Sequence, residues 1–293
     1  MHKQIAKWVA GLILPFSITS FAADAVDMVF VVDESGSMSG EHSWIATMVN
    51  DLENQLIANG VGASPNSNRY ALVGFGEETN IGGHTHPVGS GTWGTASELS
   101  TATSSLQITG DIEDGWDGIN TAIGLSLRPG VARNIILVTD EDRDVFNNNL
   151  TFGGLLGDLF NDGFLLNSVV DHGFEDGDQF EAFGIDSEGN AYVDDGFGSY
   201  FQTLGGTPTT GEGTTEADYV DLALATGGAA WDLNLLRLGG SSAEAFTEAF
   251  IDIKVQEISQ QEAPPETVPA PSVPYLMLMG LFGWWHLRRK NSI

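Results

Sequence analysis

Two runs of strand length constrain this chain more than any other feature. Asp27–Val32 (DMVFVV) and Asn134–Thr139 (NIILVT) are apolar almost from end to end, the pattern of strands covered on both faces. Tyr70–Phe75 (YALVGF) and Leu165–Val170 read as further buried strands. Ile45, Met48, Val49, Leu52 and Leu56 recur in steps of three and four and mark one face of a helix. Ile119, Ile123 and Leu127 mark another, ended by Pro129-Gly130. Further helices are expected over 95–107, 150–160 and 217–226, the last stopped by Gly227-Gly228. A terminal helix over 243–258 carries Phe246, Ala249, Phe250 and Ile253 along one side. His84–Val88 reads as a short edge strand and Ala230–Asn234 as a last short strand. This alternation predicts an α/β fold: a three-layer, open, mostly parallel sheet with helices on both faces. Phe180–Val193 (QFEAFGI–DSEGN–AYV) departs from it and reads as a β-hairpin inside an insertion of about 174–215.

The chain has 293 residues, and its 42% hydrophobic content supports a large core. Its charge is lopsided, with 40 acidic residues against 11 basic ones. Five of the basic residues, Lys3, Lys7, Arg288, Arg289 and Lys290, lie at the two ends. The acidic body therefore repels phosphate and argues against nucleic-acid binding and anionic lipid surfaces, while it attracts divalent cations. The absence of cysteine excludes disulfides, thiolate zinc sites, iron–sulfur clusters and cysteine nucleophiles.

The sharpest motif, Asp33-Glu34-Ser35-Gly36-Ser37, follows directly on the first buried strand. Asp33, Ser35 and Ser37 are spaced i, i+2, i+4, so a tight loop can turn one carboxylate and two hydroxyls toward one point. Such oxygens are hard ligands suited to Mg²⁺, Ca²⁺ or Mn²⁺. Asp140 closes the strand ILVT. In an open parallel sheet, ligands bind beyond the carboxyl ends of the strands, and Asp33 and Asp140 both occupy that position. The acidic turn 110–115 (GDIEDG) offers a third arm. The plain alternative for the first loop is an ordinary Asx/Ser turn.

Strand-DxSGS, a polar mid-domain loop and strand-TD, in this order, resemble the von Willebrand factor A (VWA) domain with its metal-ion-dependent adhesion site. The resemblance covers roughly residues 25–258 and includes the ATGG stop at Ala225–Gly228. It implies a VWA fold, a bound divalent cation and an adhesive role. It also implies that the hydroxyls of Ser35 and Ser37 bind the metal directly while Asp33 and Asp140 act largely through water. The family usually supplies a threonine from the mid-domain loop. Here Glu113 is the best positional match, with Asp114 next and Thr109 third. If Glu113 binds directly, three carboxylates face one dication; the metal is then held more tightly, and neutral oxygens such as those of sugars become the better partners.

Both ends read as addresses. Residues 1–22 have the basic, apolar and small-residue order of a secretory signal peptide. Residues 260–274 form a proline-rich linker. Tyr275–Leu287 is an apolar run of 13 residues, closed by Arg288-Arg289-Lys290. With Val268-Pro269-Ala270-Pro271 before it, this tail resembles the PEP-CTERM type of sorting signal, with Ala270 where that family typically has Glu. The resemblance implies a sorting enzyme of the exosortase type as partner. The other reading is a plain membrane anchor; under both, the body, residues 23–259, is exported and reaches the cell surface, the matrix or the medium, and the membrane is met only through this segment.

Several lesser features each have a simpler reading beside the functional one. Asp142 and Asp144 alternate with Asp140 and offer a second cation site, or are solvated loop charges. His84 and His86 lie on one side of a strand, a zinc-binding geometry with no third ligand evident in the sequence. Trp93 and Trp116 lie in polar loops near the predicted site face and can stack on a sugar or simply pack. No hydrolase, Walker or dinucleotide motif is present. The favoured function is therefore a metal-dependent binding module for an extracellular protein or polysaccharide and not an enzyme. The alternatives are a metal-assisted hydrolase of phosphoesters or glycans, for which no cation falls in the DxSGS loop, and a structural matrix subunit.

Overall fold

The computed structural model describes residues 23–262 and Pro264. The proposed signal peptide and the C-terminal sorting segment or anchor lie outside the described residues, as does most of the proline-rich linker. Among the described residues, no helix is long and apolar enough to cross a membrane.

The four apolar runs form adjacent parallel strands. β1 (Val26–Asp33) lies between β2 (Arg69–Phe75) and β4 (Ala132–Thr139), and β5 (Phe164–Val170) pairs with β4. β12 (Ala229–Asp232) adds a fifth parallel strand beside β5, and β3 (His84–His86) closes the other edge antiparallel to β2. Every residue of β1 is buried. Its alternate side chains enter two separate cores, as expected for a strand with helices on both sides. Met28, Phe30 and Val32 pack in one core with Ile45, Leu52, Phe246 and Phe250; these belong to α1 (Ser39–Ala58) and α7 (Gly240–Gln260). Val29 and Val31 pack in the other with Ile119, Leu155 and Leu222. Those residues come from α3 (Gly115–Ile123), α4 (Phe152–Asp162) and α5 (Asp221–Ala225). The expected three-layer α/β architecture is present.

The insertion does more than form one hairpin. β8 (Gly184–Asp186) and β9 (Asn190–Asp194) pair as expected, but β8 also pairs antiparallel with β12 and β9 with β10 (Tyr200–Leu204). The main sheet thereby reaches nine strands. A small second sheet holds β6 (His172–Glu175), β7 (Glu181–Ala182) and β11 (Thr207–Gly211). Tyr192 on β9 stacks on Trp231 of β12, with ring centroids 5.3 Å apart, and so anchors the added strands to the core. The expected helix over 95–107 is α2 (Ala96–Ala102) followed by a 3₁₀ turn, and a short helix not expected from the sequence, α6 (Leu233–Arg237), precedes α7.

This topology places a crevice. The chain steps from β1 to β2 on one side and later returns to place β4 on the other side of β1. Connections therefore diverge between the carboxyl ends of β1 and β4, where open α/β sheets bind ligands. At the opposite end of the sheet, the buried Asp27 carboxylate is held by Arg69 at 2.6 Å and Arg128 at 2.7 Å. That end is closed by charge pairing.

Candidate metal centre

The crevice gathers four of the residues singled out by the motif. Asp33 is the last residue of β1 and Asp140 follows β4 directly. Ser35 N–H donates to Asp33 Oδ1 at 2.7 Å, which bends the loop as an Asx turn. The Ser35 and Ser37 hydroxyls are 3.0 Å apart, and Ser37 Oγ donates to Asp140 Oδ1 at 2.9 Å. Thr139 Oγ1 donates to Asp33 Oδ2 at 2.7 Å, and thus ties the two strand ends together. Asp33 is fully buried whereas Ser37 is exposed, so the oxygens run from the sheet end out to solvent.

Glu113 approaches the same place. It is buried, and a Cβ placed on Gly76 would lie 3.3 Å from Glu113 Cγ and 3.4 Å from Asp33 Oδ1. Gly76 has φ +85°, which permits this tight passage between the two acids. Among the described residues, no group hydrogen-bonds the Glu113 carboxylate. Burial pushes the Asp33 carboxyl up to about 7, against hydrogen bonds from Thr139 and Ser35 that lower it. Burial, followed by the Asp33 charge, pushes Glu113 up to about 8. Two neighbouring buried carboxyls that resist ionisation are the electrostatic environment that a dication would relieve. The donor set of carboxylates and hydroxyls suits a hard cation.

The other candidates lie elsewhere or are already engaged. Both Asp114 oxygens are taken up, by Arg143 at 2.6 and 3.1 Å and by the N–H groups of Phe146 and Asn147. Thr109 is exposed; its N–H donates to the Glu34 carbonyl at 2.9 Å, so its backbone braces the DxSGS loop. Asp142 Oδ2 accepts from Thr214 N–H at 3.0 Å and holds a neighbouring loop, while Asp144 is exposed and its N–H donates to the Glu113 carbonyl at 2.9 Å. Trp116 is buried; it donates to the Asp218 carbonyl at 2.8 Å and stacks under Arg143, so it packs and does not offer a sugar platform. The expectation that Trp93 lies near the site face is corrected. Gly94 bridges Tyr70 at the start of β2, and Trp93 therefore stacks on Arg69 at the far end of the sheet.

Two residues escaped the sequence analysis. Arg237, at the end of α6, donates to Asp140 Oδ2 at 2.8 Å and to the buried Glu41 at 2.6 Å, and so places a cation beside the oxygen cluster. Its only sequence signal was its rarity among the few basic residues of the body. Glu34 is fully buried and faces His84 and His86, the third group that the histidine pair lacked in the sequence.

Residues 27–150 match the family model of the von Willebrand factor type A domain, and the fold is that of a VWA domain. No curated protein matches the chain. Solved structures similar to it include proximal thread matrix protein 1 from the mussel byssus, with 16% identity and a TM-score of 0.36 over 52% of this chain and 36% of that one. The vWF domain of the pili tip protein Mfa5 from Porphyromonas gingivalis is 23% identical, with a TM-score of 0.32 over 41% of this chain and 39% of that one. The pilus adhesin SpaC from Lactobacillus rhamnosus GG is 14% identical, with a TM-score of 0.44 over 82% of this chain and 31% of that one. The chain spans well under half the length of each of these three.

Proposed function

We propose that this chain is an exported binding module that uses one divalent cation, Mg²⁺ or Ca²⁺ with Mn²⁺ as a third choice, to hold an extracellular protein or polysaccharide. The observation that carries this reading is the contact chain Thr139–Asp33–Ser35–Ser37–Asp140 across the crevice between β1 and β4. In it, the Ser35 and Ser37 hydroxyls would hold the cation directly, Asp33 and Asp140 would hold it largely through water, and Glu113 would supply the third arm. The cation would offer its outward position to an oxygen of the partner. The exposure of Ser37 supports that access. A reading of residues 1–22 as a signal peptide, and of the tail as an exosortase-type sorting signal or an anchor, supports placement outside the inner membrane.

Among the described residues, Arg237 is what gives a metal-assisted hydrolase structural support, because hydrolysis of an anion calls for a nearby cation. Its guanidinium is already shared between Glu41 and Asp140, which favours binding over catalysis. An array of glycans and matrix proteins, probed with the full chain, tests the proposal. Binding is expected with Mg²⁺ or Ca²⁺ and lost with chelator and in Ser35→Ala. Binding unaffected by both treatments would overturn it, and hydrolysis of generic phosphoesters or glycosides that Asp33→Ala abolishes would install the enzyme reading in its place.

A further inference from the structure

We propose that Glu34, His84 and His86 form a second metal site, one of Zn²⁺ chemistry, beside the oxygen cluster. β3 runs antiparallel to β2 with Gly74 opposite His84 and Leu72 opposite His86, so the two imidazoles share one face of the edge strand. Glu34, the first residue beyond β1, donates its N–H to the Phe75 carbonyl at 2.8 Å, which brings its side chain to this edge. Glu34 Oε2 then lies 2.9 Å from His84 Nε2, and Oε1 lies 3.2 Å from His86 Nε2.

The proton inventory points to a cation. His84 Nδ1 lies 2.9 Å from the Gly82 carbonyl, which can only accept, so Nδ1 carries the proton. Ser105 Oγ donates to the Ala102 carbonyl at 2.7 Å and therefore accepts from His86 Nδ1 at 3.0 Å. With both Nδ1 atoms committed, both Nε2 atoms face the Glu34 carboxylate, where either a proton or a metal ion can join them. Glu34 Oε2 and His86 Nε2 are buried without a hydrogen-bond partner among the described residues. Orphaned polar atoms of this kind are costly unless something positive joins them. A carbonyl or hydroxyl on the far nitrogen is also the arrangement that orients a metal-bound histidine.

Size and chemistry select the ion. One ligand atom from each of the three residues lies within 4.8 Å of the others, and the edges of a tetrahedron with Zn–N bonds of ~2.0–2.1 Å are about 3.3 Å long, so a small inward movement of the side chains would close them on the ion. Two nitrogens and one oxygen suit Zn²⁺ and poorly suit Mg²⁺ or Ca²⁺. Gly74 keeps the space open, since a Cβ there would overlap Glu34 Oε2 and lie 2.7 Å from His86 Nε2. Three protein ligands leave one position for water. The ion would clamp the DxSGS loop to β3 and to the segment after α2, whose Gln107 N–H donates to Glu34 Oε1 at 2.7 Å. The site stands on its own geometry and does not require the Mg²⁺ reading of the neighbouring cluster.

Zinc titration of the full chain with Mg²⁺ saturating, by calorimetry, with Co²⁺ absorption as a second readout, tests this. Wild type is expected to bind one more equivalent of Zn²⁺ than His86→Gln or His84→Gln, and to give intense visible Co²⁺ bands that both variants lose. Ser35→Ala is expected to keep this equivalent, which separates the site from the oxygen cluster. Circular dichroism of the metal-free variants checks that they fold; if one does not, the Co²⁺ spectrum of the other decides. Zinc bound equally by wild type and both variants would overturn the proposal, as would zinc lost only in Ser35→Ala. No zinc binding at all would also overturn it and leave the cluster as a Glu34–imidazolium ion pair.

Discussion

At the scale of single residues, the site is governed by how much charge is forced into a small buried volume. Glu113 and Asp33 both pass close to Gly76, so a cation held between them would gain from both carboxylates. Glu113→Thr is therefore expected to weaken divalent binding by about tenfold, or ~1.4 kcal/mol, while improving capture of an acidic ligand. Calorimetry on the two proteins checks the first effect and competition with a carboxylate ligand the second. Arg237 works in the opposite sense. Arg237→Met removes a positive charge from Asp140 and should raise divalent affinity, while it leaves the buried Glu41 without its partner and should lower stability. Titration and urea denaturation on the same variant should move in opposite directions. Asp33, Ser35, Ser37 and Asp140 were visible in the sequence because two apolar strands run directly into them. Glu34 was not, because it reads as the variable position of the motif and its partners lie some fifty residues downstream on another strand. Arg237 was hidden for the same reason, since only the docking of α6 brings it to Asp140.

At the scale of elements, the legible parts were those whose pattern is set by burial on both faces. β1, β2, β4 and β5 fall where the apolar runs end, to within a residue or two. The short pieces were less legible. β8 is held by pairing to β12, β9 by β8 and the Tyr192–Trp231 stack, and β10 by β9; the contacts to β12 are encoded by no local pattern. The placement of Trp93 failed similarly, because an isolated bridge from Gly94 to Tyr70 decides it. The end of β12 also carries a pH signature. Asp232 caps α6 by accepting from Asn234 N–H at 2.8 Å; burial, with the charges of Glu181 and Asp171 adding to it, pushes its carboxyl up to about 7. The fold thus favours protonated Asp232. Its contribution to stability is complete below about pH 4 and is lost as pH rises to about 7. Asp232→Asn keeps an acceptor for the cap and should flatten this part of the profile. Denaturation of both proteins between pH 4 and pH 8 checks it, and identical slopes would contradict it.

At the scale of the whole molecule, the two ends of the sheet do different work. One end is closed by Asp27 between Arg69 and Arg128, while the other concentrates carboxylates and hydroxyls and is open at Ser37. A chain with 40 acidic residues and few cations attracts divalent ions from solution, and the switch in strand order brings together the carboxylates and hydroxyls of the proposed site. On the proposed reading, stability should rise with the free divalent concentration c as RT ln(1 + c/Kd), which would tie partner binding to the local divalent concentration. The most direct test is calorimetric titration of the full chain with Mg²⁺, Ca²⁺ and Mn²⁺, for wild type and Ser35→Ala. The account predicts one saturable divalent equivalent in wild type, with affinity lowered at least about tenfold by the loss of that single hydroxyl. Equal titration curves for the two proteins, or no saturable binding in wild type, would contradict it.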